Sequence, residues 1–367
     1  MSVLWGLEPA TEAKHRLYRH YFDAWWPILL QPQARTGRSW SKVTFLDAFA
    51  GPGKYEGGEE GSPVFTLDRL LNHAAVERMN LSRRRVQLVF IERDRARHEH
   101  LVQELTGRFG PLEDLPVRVE VRRGDAGQDS ERILTELGAW GNPVLAVFDS
   151  WGSVNVPLGL TARIARNTAS EVITTFGPNW FSRREELNPD LLDTVFGGRA
   201  FWAGAADVEA SDEKWRAWLA AYRDALKRAG FGFRLQFQVV PRTGQPLYLV
   251  FGTGHQKGVE VMKDAMWKVD RSDGLSFKDP RCRSAVSVGQ GSIFEMEETV
   301  DPELLSLVEQ RLHQGPTAME GLGQWLLLET SQWRVRDAAK AVRALDDDGR
   351  LSLPPGRLTK ASVITLR

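Results

Sequence analysis

Short apolar runs alternate along the chain with stretches whose apolar residues recur every three or four positions. The first periodic stretch, 9–30, opens on Lys14, His15 and Arg16. It carries Leu17, Tyr18, Tyr21, Phe22, Trp25, Trp26, Ile28 and Leu29 at helical spacing. That pattern predicts an amphipathic helix stopped near Pro27. After a polar stretch from Gln31 to Ser41, Val43-Thr44-Phe45-Leu46 reads as a short buried strand running into the turn Gly51-Pro52-Gly53. The alternation then continues as a helix from about Pro63 to Met79, a strand Val86 to Ile91, and a helix near 94–106. A strand Val117 to Val121, a helix near 128–138 and a strand Val144 to Phe148 follow, then a helix near 158–167 and a strand Glu171 to Phe176. Five such units in a row predict a parallel sheet covered on both faces.

Past an irregular stretch, 180–210, a helix at 212–229 precedes Arg234 to Val240 and Leu247 to Phe251. The turn-rich link Pro241 to Pro246 makes these last two runs an expected antiparallel hairpin. Five parallel units closed by a hairpin is the layout of the seven-stranded methyltransferase variant of the Rossmann-like α/β sheet. Residues 303–367 read as three short helices, then Leu351 to Gly356 and Ala361 to Leu366, two strands around a Pro-Gly tip. The expected organisation is therefore an N-terminal helical cap over 1–40 and a Rossmann-like domain over 41–270. A polar linker, 271–302, and a winged-helix-like domain, 303–367, complete it.

Composition narrows the class without choosing a function. The chain is 42% hydrophobic and 26% charged, the balance of a soluble globular protein with a substantial core. Lys plus Arg and Asp plus Glu both count 48, which argues against a polybasic nucleic-acid binder. The single cysteine, Cys282, excludes an internal disulfide and any multi-cysteine metal site, so a cytoplasmic setting and no metal are expected. No run of 18 apolar residues and no basic, then apolar, start are present, so neither a membrane nor a secretory signal is expected. Thirteen tryptophans suit cores, and they also suit pockets that stack a planar ligand.

The candidate chemistry lies at strand ends. Asp47-Ala48-Phe49-Ala50-Gly51-Pro52-Gly53 has the form D-x-F-x-G-x-G directly after a strand. Glycines there permit a tight turn and close approach of backbone to a ligand. In adenosylmethionine-binding folds this loop holds the amino-acid part of the cofactor, the acid accepting from its ammonium. Ala50 and Glu56 stand where a dinucleotide G-x-G-x-x-G needs glycines, and Tyr55 stands where a Walker loop needs Ser or Thr. Glu92 ends the second strand, where a carboxylate can accept both ribose hydroxyls. Asp125, followed by Ala126, ends the third strand and could accept from the adenine amino group. Asp149 ends the fourth and would face the transferred methyl, as the first candidate for a base, with His255 a distant second. Four acids in order at four strand ends converge on one crevice. Trp151 and Trp180 are candidates to stack a planar substrate, and Cys282, in the expected linker and away from the crevice, excludes a cysteine-adduct cytosine C5 mechanism.

On these blocks the chain resembles the three-Cys-motif partner family (TcmP). Lys14 to Leu30 is similar to its opening helix, and Phe45 to Tyr55 with Gly61-Ser62-Pro63 to its glycine loop. Phe90-Ile91-Glu92 and the segment from Gly252 to Lys268 are similar to its later blocks. At the fourth strand, Asp149-Ser150-Trp151-Gly152 departs at two positions from the family's aspartate, proline, phenylalanine, glycine. The resemblance implies a methyltransferase-like fold, S-adenosyl-L-methionine as cofactor and a three-Cys-motif protein as partner. Three functions follow as alternatives: a methyltransferase for nucleic acid or a nucleotide-like planar substrate, a small-molecule methyltransferase dimerising through its tail, and a non-catalytic cofactor-binding subunit. For nucleic acid speak Trp333-Arg334-Val335-Arg336 and the clusters Arg83-Arg84-Arg85, Arg93/Arg95/Arg97 and Arg183-Arg184. Against it, the nine basic and nine acidic residues of 301–367 cancel.

Overall fold

A computed structural model describes residues 3–33, 37–282, 300–354 and 357–367. Positions 34–36 of the polar stretch, 283–299 of the expected linker, and the Pro355-Gly356 tip lie outside the described residues. In chain order the first half runs α1 (Pro9–Leu30), β1 (Val43–Asp47), α2 (Ser62–Leu71), α3 (Val76–Met79), β2 (Val86–Glu92), α4 (Arg95–Phe109) and β3 (Arg118–Arg123). Then come α5 (Ala126–Glu136), β4 (Val144–Gly152), α6 (Leu158–Arg166), β5 (Glu171–Phe176), α7 (Pro178–Ser182), α8 (Pro189–Phe196) and α9 (Ala203–Ala206). Next are α10 (Ser211–Ala229), β6 (Phe233–Val240), β7 (Leu247–Thr253), α11 (Gln256–Val269) and β8 (Ser276–Lys278).

These strands form one sheet in the order β3-β2-β1-β4-β5-β7-β6-β8. β1 to β5 run parallel, and β7 is antiparallel to both β5 and β6. This is the Rossmann-like mixed sheet with an antiparallel hairpin that the alternation predicts, with an eighth strand added. β8 comes from the segment expected to be linker and pairs parallel with β6 through Gln238 and Ser276. β1, β2 and β5 are buried along their whole length because helices cover both faces. One apolar layer packs α1, α2 and α11 on the sheet, and the other packs α5, α6, α8 and α10.

Several boundaries differ from the expected ones, each for a local reason. α1 runs past Pro27 to Leu30. Proline removes the bond to the carbonyl four residues back, and here the Asp23 carbonyl is met by the His73 ring at 2.9 Å. The expected helix 63–79 is two helices. The expected irregular stretch holds α7, α8 and α9; Asn188 caps α8 just ahead of Pro189. β4 continues beyond Phe148 through a register shift, so that Gly152 pairs with Phe176 of β5.

The tail comprises α12 (Pro302–His313), β9 (Thr317–Ala318), α13 (Met319–Glu329), α14 (Val335–Asp347), β10 (Leu351–Ser352) and β11 (Val363–Leu366). Its three strands form a small antiparallel sheet, β10-β11-β9. The sheet lies over a separate core in which Leu304, Val308 and Leu312 of α12 meet Leu326, Val342 and Ile364. Lys263 of α11 docks it. The buried ammonium donates to the carbonyls of Leu327, Thr330 and Trp333 at 2.6–2.9 Å. Among the described residues no helix is long and apolar enough to cross a membrane.

Candidate functional site

The order of the parallel strands reverses between β1 and β4, and ligands of open α/β sheets bind outside the carboxyl ends of the strands at such a reversal. A cavity of about 310 Å³ lies there. Its wall is built from the start of α1, the glycine loop after β1, and the ends of β2, β3 and β4. The loop is pinned at both ends. The Gly61 amide donates to the Gly53 carbonyl at 2.8 Å, and the Gly51 amide to Glu92 at 3.0 Å. A Cβ on Gly61 would sit 2.8 Å from the Gly53 carbonyl carbon, so the two arms can close only on glycine.

The expected residues Phe49, Gly51, Gly53, Glu92, Asp125, Ala126, Asp149 and Trp151 all line this cavity. Asp47 does not. It is 1% exposed, behind the wall, with one oxygen accepting from the Ser62 hydroxyl at 2.6 Å and the other from the Phe49 amide. Burial pushes its carboxyl up to about 6. Asp47 thus holds the loop in shape, and the direct contact with a ligand ammonium expected for it is not available. Glu92 accepts from the Gly51 amide on one oxygen and the Asp94 amide on the other, which leaves each oxygen an open acceptor position. Asp125 caps α5 through the Gly127 amide at 2.9 Å, while its second oxygen lies 3.9 Å from Arg93.

Asp149 is the most heavily engaged of the four. Its oxygens accept from the Lys14 ammonium at 2.6 and 2.8 Å, from Thr175 at 2.6 Å and from Tyr18 at 3.0 Å. Burial raises its pKa, but the Lys14 charge and the three donors outweigh that and hold it below the ordinary carboxylate range. A carboxylate so placed is a poor proton acceptor, and the role of base expected for it lacks a free oxygen.

The sequence reading missed the wall opposite. Thr11, Lys14 and His15 of α1 face the cavity, and Tyr18 reaches Asp149 one turn further on. The available signal was a lysine and a histidine lying within an apolar stripe. Lys14 is 1% exposed, and its ammonium lies 4.6 Å from the centre of the Trp151 ring. Trp151 has φ +56°, in the left-handed region, and is 45% exposed. A bulky residue there stores strain that burial does not repay, a pattern concentrated at functional sites. Trp5 covers the glycine loop, edge-on to Tyr55 with ring centres 6.0 Å apart and with the Arg97 guanidinium 4.9 Å from its own ring.

Other candidates serve the fold. His255 caps α11 by accepting from the Lys257 amide. Trp180 lies off the cavity wall, packed edge-on to Phe181 under Arg184. Arg85 donates to the carbonyls of Leu30, Trp40, Met79 and Asn80, and Arg83 to those of Leu112 and Val117. In the tail, Trp333 is buried, Arg334 pairs with Asp337, and Arg336 pairs with Asp264 of α11. Of the basic clusters, Arg93 and Arg97 are the members that reach the cavity.

No family model matches the chain, and no curated protein matches it. Among solved structures it is similar to Trm1 from Pyrococcus horikoshii in complex with S-adenosyl-L-methionine, at 12% identity over 97% of this chain and 91% of that one, TM-score 0.36. It is also similar to the precorrin-6y C5,15-methyltransferase of Geobacter metallireducens GS-15, at 10% identity over 65% and 87%, TM-score 0.32. A geranyl diphosphate methyltransferase in complex with GPP and sinefungin aligns at 15% identity over 63% and 77%, TM-score 0.26. Likeness this distant carries no residue-by-residue correspondence.

Proposed function

We propose that the chain is an S-adenosylmethionine-dependent methyltransferase whose acceptor is a nitrogen or oxygen of a planar, nucleotide-like group. The observation that carries this reading is a single crevice at the strand reversal lined both by Glu92, tied to the glycine loop, and by an exposed and strained Trp151. The residues present fit the cofactor. The open positions on Glu92 suit paired ribose hydroxyls, the second oxygen of Asp125 suits an adenine amino group, and Phe49 and Ala126 supply wall beside them. Gly51 and Gly53 allow close backbone approach. The buried Thr11 and Ser150 hydroxyls have no partner among the described residues, as expected of groups that wait for a ligand.

The bound cofactor would supply a sulfonium methyl, whose carbon–sulfur bond breaks as an acceptor lone pair bonds to the carbon. The chain's own part is alignment and exclusion of water. The open face of Trp151 orients the acceptor plane, and Trp5 shields the loop. Because Asp149 has no free oxygen, an acceptor N–H or O–H proton passes to solvent. The tail's order of helix, strand, helix, helix, strand, strand supports a winged helix, and the engagement of Arg334 and Arg336 suits it to docking or dimerisation more than to reading a nucleic acid.

Calorimetric titration with S-adenosylmethionine and S-adenosylhomocysteine tests the cofactor. Binding by the wild type that is lost in Glu92→Ala is expected, and a wild type that binds neither ligand refutes the reading. Transfer of labelled methyl to nucleotides, RNA and DNA then tests the acceptor. The saturated Asp149 favours a second reading, a non-catalytic cofactor-binding subunit, and methyl transfer by the isolated chain eliminates it.

A further inference from the structure

Thr11 is 4% exposed and lines the cavity, and its buried hydroxyl has no hydrogen-bond partner among the described residues. Buried hydroxyls are rarely left so. A helical threonine ordinarily turns back to a carbonyl three or four residues earlier. Thr11 has Glu8 and Leu7 in those places, and its hydroxyl bonds to neither carbonyl. One turn on, Lys14 has three N–H groups and spends two on Asp149. The third is unassigned. Thr11 and Lys14 are three residues apart on α1 and therefore share a face.

The charges at this end of the cavity sum to zero, yet they are separated. Lys14 carries the positive charge and Asp149 the negative. His15 is neutral at pH 7 because burial and the Lys14 charge hold it down at about 3. Burial raises the Tyr18 phenol well above its usual value, so it stays protonated. Asp149 is spent on Lys14, Thr175 and Tyr18. What the pair still offers a ligand is donors, the third Lys14 N–H and the Thr11 hydroxyl, and donors select an anionic acceptor such as a carboxylate. Asp47, the residue expected to take a ligand ammonium, is sealed behind Ser62 and the Phe49 amide.

We infer that the Thr11–Lys14 face of α1 binds the carboxylate at the amino-acid end of the cofactor, with Lys14 and Thr11 donating to it and Asp149 fixing the Lys14 ammonium in place. This inference rests on the cofactor reading above and assigns the other half of the same cavity. The nucleoside end lies toward Glu92 and Asp125, and the amino-acid end lies against α1. Lys14 and Thr11 are positioning residues in this scheme, since their task is to fix where the reactive sulfur sits.

The test compares S-adenosylhomocysteine with 5′-methylthioadenosine, which keeps the nucleoside and thioether but lacks the amino and carboxylate groups. Thr11→Val removes a hydroxyl that has no partner among the described residues, so the variant is expected to unfold at the same urea concentration as wild type or a higher one. Its affinity for S-adenosylhomocysteine is expected to fall about tenfold, the loss of one hydrogen bond to a charged group. Its affinity for methylthioadenosine should not change. The double variant Lys14→Met/Asp149→Asn, which strands neither charge, should bind the two compounds within about tenfold of each other. Undiminished binding of S-adenosylhomocysteine by Thr11→Val overturns the inference, as does an equal loss of both compounds. A wild type that binds S-adenosylhomocysteine no more tightly than methylthioadenosine also overturns it while leaving the cofactor reading in place. A wild type that binds neither removes both.

Discussion

Replacing Lys14 by methionine keeps the side-chain stem in its apolar bed and removes the ammonium from Asp149. Breaking a buried ion pair by removing one partner costs about 3–5 kcal/mol, because the remaining charge stays buried without compensation. Asp149 keeps its bonds from Thr175 and Tyr18, and its side chain is 15% exposed, so the lower end, about 3 kcal/mol, is expected. That loss should depend on pH. In the wild type the folded-state pKa of Asp149 lies below its unfolded value. Its contribution is therefore present above the unfolded value of about 3.9 and is lost as pH falls through the folded one. In the variant, burial acts without the opposing cation and the folded-state pKa lies above the unfolded value. Stability is then lost as pH rises through it. The difference between the two proteins should be larger at pH 8 than at pH 5, because a carboxyl whose pKa is raised by burial takes up its proton sooner as pH falls. Urea unfolding followed by circular dichroism at pH 5 and pH 8 measures it. A loss equal at both pH values would mean that packing, and not charge, is what Lys14 contributes. A loss below about 1 kcal/mol at pH 8 would refute the account outright, since it would leave the pair within the range of exposed ones. Adding Asp149→Asn to Lys14→Met should recover most of the stability.

Two further outcomes are expected. Trp151→Gly relieves a left-handed conformation worth about 1–2 kcal/mol, against about 0.5–1 kcal/mol for the glycine's entropy and a similar amount for the lost contact with Lys14. Unfolding should thus shift by less than about 1 kcal/mol in sum, while methyl transfer to a planar acceptor falls and cofactor titrations stay unchanged; a large loss of stability would show the ring to be structural. Lys263→Met strips the donor from the carbonyls that end α13, so limited proteolysis should cut within 303–367 faster than in the wild type while ligand binding is retained. Burial lowers the Lys263 pKa to about 7. Its folded-state value therefore lies below the unfolded value of about 10.4, wild-type stability rises with pH between the two, and the methionine variant should lack that rise.

Much of the scaffold was legible because its signals are local. Strands buried on both faces read as short unbroken apolar runs, and the helices between them announce themselves by period. The parallel order up to β5, the hairpin of β6 and β7, and the place of Asp47, Glu92 and Asp125 at successive strand ends follow from that alternation, while Asp149 lies inside β4, three residues before its end at Gly152. Where a feature depended on a partner distant in sequence, the pattern was silent. Pro27 stays inside α1 with the freed Asp23 carbonyl taken by His73, fifty residues on from Asp23. β8 exists because β6 offers an edge to the segment after α11.

The same division runs through the site. The residue types at the strand ends fixed which groups could meet in one crevice, since β-strand direction and right-handed crossovers leave little choice of edge. What each group can do was decided by its neighbours in space. Four carboxylates that look alike in sequence become a loop brace, an acceptor with open positions on the cavity wall, a helix cap and half of an ion pair, according to whether Ser62, backbone amides or Lys14 lie within 3 Å. Sequence position sets the chemistry a residue carries. Burial and hydrogen bonds, which only the folded chain supplies, set how much of that chemistry remains free for a ligand.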